Sequence, residues 1–368
     1  MAFHLEPVSF AELSGWQADD PTPVITALRR CHRHVVIAKP YKTGSLGISV
    51  TDLLPAFEAS GSGVSDAAGA RAFFEEQFVP FRIRPDETRT GFVTAFYEPE
   101  IEVRAEPDEV FHFPFYRRPA DLVEIDDANR PGGMDPYFAF GRLRDGAVEE
   151  YPDRKAIERG FLAGRGLEIA YARSKVDVFF VHVQGAARLV YADGSRRRIT
   201  YAAKTGHRFS AIGKLLIDRG EIDATTVSMA TIRNWLAAHP ERVDEVLWHN
   251  RSFIFFREAP VEKEDLGPVA AAKVPLEPGR SLAVDRLIHT FGVPFYVASA
   301  TLTHLDAGRP FGRLMLALDT GSAIVGPARG DIFTGSGDEA GNLAGSVRNE
   351  ADFFIFVPRA AASRYRHG

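Results

Sequence analysis

The stretch Asp319-Thr-Gly-Ser-Ala-Ile-Val-Gly-Pro-Ala-Arg-Gly-Asp-Ile-Phe-Thr-Gly335 follows the apolar run Leu314-Met-Leu-Ala-Leu318 and sets two aspartates around a glycine-rich segment with Arg329 inside it. The run before Asp319 suits a buried strand, Gly321, Gly326 and Gly330 permit tight turns and bulges, and Ile332-Phe333 resumes an apolar pattern. The stretch reads as a strand, a tight connection and a second strand. A third aspartate, Asp285, ends the strand-like Ser281-Leu-Ala-Val-Asp285 and precedes Val293-Pro-Phe-Tyr-Val297. Three carboxylates at strand ends point to acid–base chemistry. The plainer reading of the same residues is a set of Asx-turns, in which each side chain satisfies its own backbone.

Outward from this region, the C-terminal third alternates short strands with Gly and Pro turns and suggests a compact β barrel. The first ninety residues read as helices at Val24–His34, Ser49–Phe57 and Ala67–Phe78, with strands at Thr88–Pro99 and Glu100–Arg104. From about 101 to 205 the chain reads as strand and loop. Pro114–Pro119 and Val176–Gln184 are expected strands there, and Ala192-Asp-Gly194 an expected hairpin turn. Helices return at Ser210–Asp218 and Thr226–Ala237, stopped by Gly220 and Pro240, before the apolar Phe253–Phe256 and a surface loop at Glu262–Asp265. The fold class is therefore α+β, mainly β with flanking helices. The expected domains are residues 1–100 with 206–368, and an inserted small β domain at 101–205.

The bulk properties narrow the function. A length of 368 residues suggests two domains or one with a large insertion. A net charge of −5 argues against a polyanion binder, so neither nucleic acid nor nucleotide is an expected partner. The basic cluster Arg196-Arg-Arg198 is expected to open the second hairpin strand with its charges in solvent. One cysteine, Cys31, excludes an internal disulfide and a Cys-based zinc site. Its setting, Arg29-Arg-Cys-His-Arg-His34, reads as a cationic helix end and not a metal site. The sequence has no apolar run long enough for a membrane span, and Met1–Leu13 lacks the basic and apolar regions of a secretory signal. No cofactor or metal is expected, and a monomer is the default.

Four segments together resemble the membrane-bound lytic murein transglycosylase A (MltA) family, over roughly residues 88 to 358. They are Thr94-Ala-Phe-Tyr-Glu-Pro99, Asp177-Val-Phe-Phe-Val-His-Val-Gln-Gly185, Tyr201-Ala-Ala-Lys-Thr-Gly-His207 and the three-aspartate (3D) region from Ser281 to Gly335. The resemblance implies a double-psi β-barrel domain, an inserted smaller β domain and a glycan groove between them. It implies cleavage of the β-1,4 bond between N-acetylmuramic acid and N-acetylglucosamine in peptidoglycan, with release of 1,6-anhydromuramoyl products in place of hydrolysis. It also implies a periplasmic, outer-membrane-associated location, reached through an N-terminal anchor that this sequence does not contain.

By position, Asp331 matches the family's acid/base, and Asp319 and Asp285 match its other two aspartates. One carboxyl group suffices if the attacking group is the substrate's own C6 hydroxyl, because Asp331 can first donate a proton and then accept one. That role requires its pKa to be lifted by burial or by a like charge, for which Asp319 is a candidate. Asp285 is expected to hold the loop by accepting backbone amides. The expected substrate-binding residues are Thr94, Phe96, Tyr97, Gln184, Lys204 and Gly335, while His182, two residues before Gln184 on the same strand face, is expected to be a satisfied, semi-buried histidine. The chain departs from the family at Ala95, Ser322 and Ala203, where Gly is usual, at Ala186-Ala187 in place of Ser-Gly, and at Thr205 in place of Asn. A glycan-binding module without catalysis and a metal-assisted hydrolase built on the three aspartates remain as alternatives.

Overall fold

The computed structural model describes the chain except residues 1–2, 62, 87–89, 260, 262 and 366–368. Thr88 and Arg89 of the expected strand Thr88–Pro99, and Glu262 of the expected surface loop, lie outside the described residues. In chain order the elements begin with β1 (Phe3–Pro7), α1 (Thr22–Ile37), α2 (Val50–Ala59), α3 (Ala67–Gln77), β2 (Phe78–Pro85) and β3 (Gly91–Glu98). Next come β4 (Glu100–Arg104), β5 (Phe113–Tyr116), β6 (Leu122–Glu124), β7 (Phe140–Arg144), β8 (Ala147–Glu149), the single turn α4 (Arg154–Ala156), β9 (Glu168–Ala172) and α5 (Lys175–Gln184). They are followed by β10 (Ala186–Val190), β11 (Arg196–Lys204), α6 (Ile212–Asp218), α7 (Met229–Ala238), α8 (Val243–Trp248) and β12 (Ile254–Ala259). The chain closes with β13 (Ser281–Val284), β14 (Pro294–Ser299), β15 (Phe311–Asp319), β16 (Arg329–Ser336), α9 (Gly337–Gly345) and β17 (Arg348–Pro358).

Two compact units divide these elements, Met1–Tyr97 with Lys263–Gly368, and Glu98–Glu262. In the first, the strands run β1-β2-β17-β14-β15-β13-β16-β3, and β3 also pairs with β17, so β17, β14, β15, β13, β16 and β3 form a closed barrel. Closure removes the free edges of these strands. Its core holds Leu282, Val284, Leu314, Leu316, Ile332, Phe333, Phe353 and Ile355, and α1, α2 and α3 pack on it through Leu28, Phe57 and Phe74. The helices begin where local chemistry allows. Ser49 caps α2 by accepting the Asp52 amide at 3.2 Å while Asp52 accepts the Ser49 amide at 2.8 Å, and Asp66 accepts the Gly69 amide at the start of α3.

The second unit carries a sheet in the order β12-β11-β10-β4-β9-β5, a small β6-β7-β8 sheet, and helices α5 to α8. A bridge between Arg117 and Phe256 brings the chain beyond β5 to β12, curling the larger sheet. This unit corrects three expectations. It extends to residue 262, not 205, because β12 pairs along β11 and because α6, α7 and α8 share with α5 a core of Phe179, Phe180, Leu216, Trp235 and Leu247. Val176–Gln184 is a helix, not a strand. Ser174 accepts the Asp177 amide at its start, Gly185 ends it at φ +80°, and Val178–Val181 are buried, an apolar run that suits a buried helix as well as a strand. Lastly, Arg198 is buried, not solvated, and pairs with Glu98.

Candidate active site

The barrel gathers its aspartates through register. β13 lies between β15 and β16, parallel to the first and antiparallel to the second, and Ala283 is the partner of Asp319 on one side and of Asp331 on the other. Directly opposed residues share a face of a sheet. Both carboxylates therefore rise from one face with a single methyl group between their strands. A bulge makes this possible: the β13–β15 register shifts after Leu282, so that the fully buried Leu318 is passed over and Asp319 comes opposite Ala283. Unshifted pairing would send Asp319 to the other face. The expected tight strand–turn–strand is thus not a hairpin, because β15 and β16 flank β13 and do not pair with each other.

Asp331 is half-buried on β16, two residues after Arg329 on the same strand. Its Oδ1 accepts the hydroxyl of Thr94 on β3, and Thr94 Oγ1 accepts from Arg329 Nη2 at 2.8 Å. The Arg329 guanidinium also donates to the Gly330 carbonyl and lies 5.5 Å from the Phe92 ring centroid. Burial raises the Asp331 pKa above the usual carboxylate range, against the opposing pull of the Thr94 hydrogen bond and the Arg329 charge. Asp319 accepts the Ala271 amide at 3.2 Å. Burial lifts its pKa from 3.8 to about 6, the Asp331 charge adds to the lift, and the amides of Thr320 and Ala271 and the Lys273 charge oppose it. The like-charge effect therefore falls on Asp319, and burial alone raises Asp331.

Asp285 has a different setting. Its Oδ1 accepts the Leu287 amide at 3.0 Å and its Oδ2 the Gly326 amide at 2.9 Å. One residue along, the Pro327 carbonyl accepts from buried His289 Nε2 at 2.8 Å. Burial pushes that imidazole down to about 4, so it is neutral at physiological pH. Asp285 and His289 together pin the connection leading from Asp319 to Asp331. With both Asp285 oxygens on amides, the three carboxylates do not form a ligand set, and among the described residues no group of three His, Cys, Asp or Glu is placed to hold a metal ion.

The remaining expected site residues separate. Phe96 is half-buried with its ring 5.3 Å from that of Phe333, and the space beside Gly341 on α9 is filled by the Tyr97 ring. Gly335 sits at φ +127°, where a side chain would be strained, as the chain turns toward α9. Gln184 and Lys204 belong to the other unit. Gln184 is the half-buried last residue of α5. Lys204 Nζ donates to Tyr137 Oη at 3.1 Å and shares that ring with Arg208. His182 is fully buried on α5, not on a strand face; Nδ1 accepts from Arg154 Nη2 at 3.1 Å, while Nε2 has no hydrogen-bond partner and the ring packs 4.4 Å from Phe253.

Sequence reasoning missed Ala283, Arg329 and Ala271. The two alanines carry no chemical signal of their own. Arg329 did, as a charge placed two residues before an aspartate in an otherwise uncharged stretch.

Comparison with known proteins adds to this geometry. Residues 92–257 match the family described as the MltA specific insert domain, and residues 280–357 match the 3D domain. The membrane-bound lytic murein transglycosylase A of Escherichia coli K12 is 36% identical over 260 residues, covering 68% of this chain and 61% of that protein. The chain thus spans less than two thirds of that curated relative. The crystal structure of a membrane-bound lytic murein transglycosylase from Agrobacterium tumefaciens aligns with a TM-score of 0.94 at 63% identity, over 99% of this chain and 100% of that one. The E. coli MltA structure with bound chitohexaose aligns with a TM-score of 0.66 at 25% identity, over 97% of this chain and 95% of that one.

Proposed function

The chain belongs to the MltA family, and from that premise we propose that it is a peptidoglycan lytic transglycosylase with Asp331 as its acid/base. The carrying observation is the difference between the three aspartates. Asp285 gives both oxygens to backbone amides and Asp319 accepts amides from Ala271 and Thr320, whereas among the described residues the Asp331 side chain hydrogen-bonds only to the Thr94 hydroxyl. Asp331 is therefore the carboxyl free to exchange a proton.

In the proposed reaction, neutral Asp331 protonates the glycosidic oxygen between N-acetylmuramic acid and N-acetylglucosamine as the C1–O bond breaks. The muramyl C6 hydroxyl then closes on C1, and the Asp331 carboxylate takes up its proton. The acid is regenerated, no water is consumed, and the product is the 1,6-anhydro sugar. Closeness of the attacking hydroxyl is built into the substrate, which removes the need for a second catalytic carboxylate. Asp319, held neutral by burial below about pH 6, spares the transient Asp331 carboxylate a neighbouring negative charge. The relatives' names, and the oligosaccharide in the E. coli structure, support a glycan strand as substrate and the cell wall compartment as location.

The test is digestion of purified peptidoglycan sacculi by the protein and by Asp331→Asn, with mass spectrometry of the soluble products. Anhydro-muropeptides, each lighter by one water than the hydrolytic product, are expected from the parent, with release slowed by about 10²–10⁴-fold in the variant. Reducing-end products from the parent would replace this reading with a hydrolase. Binding without any product would replace it with a glycan-binding protein.

A further inference from the structure

Three side chains around Asp331 form a hydrogen-bonded chain with one permitted direction. A guanidinium only donates, so Thr94 Oγ1, 2.8 Å from Arg329 Nη2, accepts from it through a lone pair. The single hydroxyl hydrogen of Thr94 is then committed to Asp331 Oδ1. Oδ1 is thereby an acceptor whether the carboxyl is charged or neutral. Two further contacts fix the guanidinium, one to the Gly330 carbonyl and one over the Phe92 ring.

We propose that Arg329 is a positioning residue which, acting through the Thr94 hydroxyl, confines the exchangeable proton of Asp331 to Oδ2. The proposal rests on the reading of Asp331 as acid/base. A carboxyl group with both oxygens open distributes its proton over two sites and several orientations, and a hydroxyl without Arg329 can turn round and accept that proton's hydrogen bond. The relay removes both freedoms, so donation to the leaving oxygen and recovery from the C6 hydroxyl pass through one atom. The groups that face Asp331 are Arg329 on its own strand, Thr94 on β3 and Asp319 on β15, with Lys273 facing Asp319 in turn. Arg329 and Thr94 both favour the carboxylate, so loss of either raises the Asp331 titration further and moves the alkaline limb of the rate profile upward.

The experiment is a cycle of Arg329→Met, Thr94→Val and the double variant, with Thr94→Ser as the conservative control. Two readouts are taken, the carbon-13 NMR titration of the Asp331 carboxyl without substrate, and the pH profile of anhydro-product release from soluble glycan strands. Each single substitution is expected to slow release by about tenfold, with an upward movement of the Asp331 midpoint, and Thr94→Ser to restore the parent's behaviour. Because Arg329 acts through Thr94, adding Arg329→Met to Thr94→Val should cost little more. Multiplying losses, or slower release with an unmoved Asp331 midpoint, would overturn the relay. A parent inactive on glycan strands would instead overturn the acid/base reading, and the substrate-free titration would still decide for or against the relay.

Discussion

Each unit of the molecule buries carboxylates, and it treats them in opposite ways. In the inserted unit, fully buried Glu98 accepts from Arg188 Nε at 2.9 Å and from Arg198 through both Nε and Nη2, with the two guanidiniums bracketing one carboxylate. In the barrel, among the described residues, Asp331 has one hydroxyl partner, and Asp319 has amides on one side and Asp331 across Ala283 on the other. A buried carboxylate bracketed by two guanidiniums has its charge compensated by opposite charge. A buried carboxyl with few donors and a like neighbour is pushed toward its neutral form. The contrast teaches that burial alone does not make an acid; incomplete compensation of the buried charge does.

The sharpest way to break the contrast is to remove the compensated charge. Glu98→Gln leaves Arg188 and Arg198 facing a neutral amide in the interior, and the expected loss is about 3–5 kcal/mol of stability, measured by urea unfolding. A loss no larger than that of a surface substitution would mean that the cluster is hydrated and not a true buried triad.

Asp319→Asn should act in the opposite direction. The folded pKa of Asp319, about 6, lies above its ordinary 3.8, so the native state holds a proton that the unfolded chain has released. Stability is therefore fully present below about pH 4 and falls as pH rises through about 6, the reverse of a salt-bridged carboxylate. Asparagine keeps the acceptor for Ala271 and removes the charge. Near pH 7 it should stabilise the fold by up to about 3 kcal/mol, less where solvent reaches the carboxyl, and flatten the dependence of melting temperature on pH between those limits. An unchanged pH dependence would assign the slope to other groups.

The smallest effect is expected from the methyl group between the two aspartates. Ala283→Val crowds the shared face, costs about 1–3 kcal/mol by overpacking, and screens the carboxylates from each other, so that Asp319 titrates closer to its ordinary range. An NMR titration in which Asp319 does not move would show that its shift comes from burial without help from Asp331.

Much of this was legible in the chain. Helical spacing of apolar residues marks α1, α2 and α3, and the apolar runs Ser281–Asp285, Val293–Val297 and Leu314–Leu318 mark strands of the barrel. The three aspartates stood out because glycine and apolar residues surround them. The sequence reads α5 as a strand because Val176–Gln184 is mostly apolar with too few polar residues to set a period, and a two-residue period and a 3.6-residue period cannot be separated in so short a run. The inserted unit was drawn too short because helices at 212–248 look alike whichever core they serve; only Phe179 and Phe180 packing against Leu216 and Trp235 assigns them.

What the sequence by itself determined is the inventory: a β region bearing three aspartates, an arginine near the third, and glycines where the backbone must turn. Tertiary structure decided how differently the three aspartates are partnered, the difference on which the proposed role of Asp331 rests. That difference depends on a one-residue bulge at Leu318, on an alanine opposite two acids at once, and on a threonine hydroxyl that reaches Asp331 from another strand. These are relations between strands far apart in sequence, and no local pattern encodes them, because pairing register and the donors that reach a buried oxygen exist only once the barrel has closed.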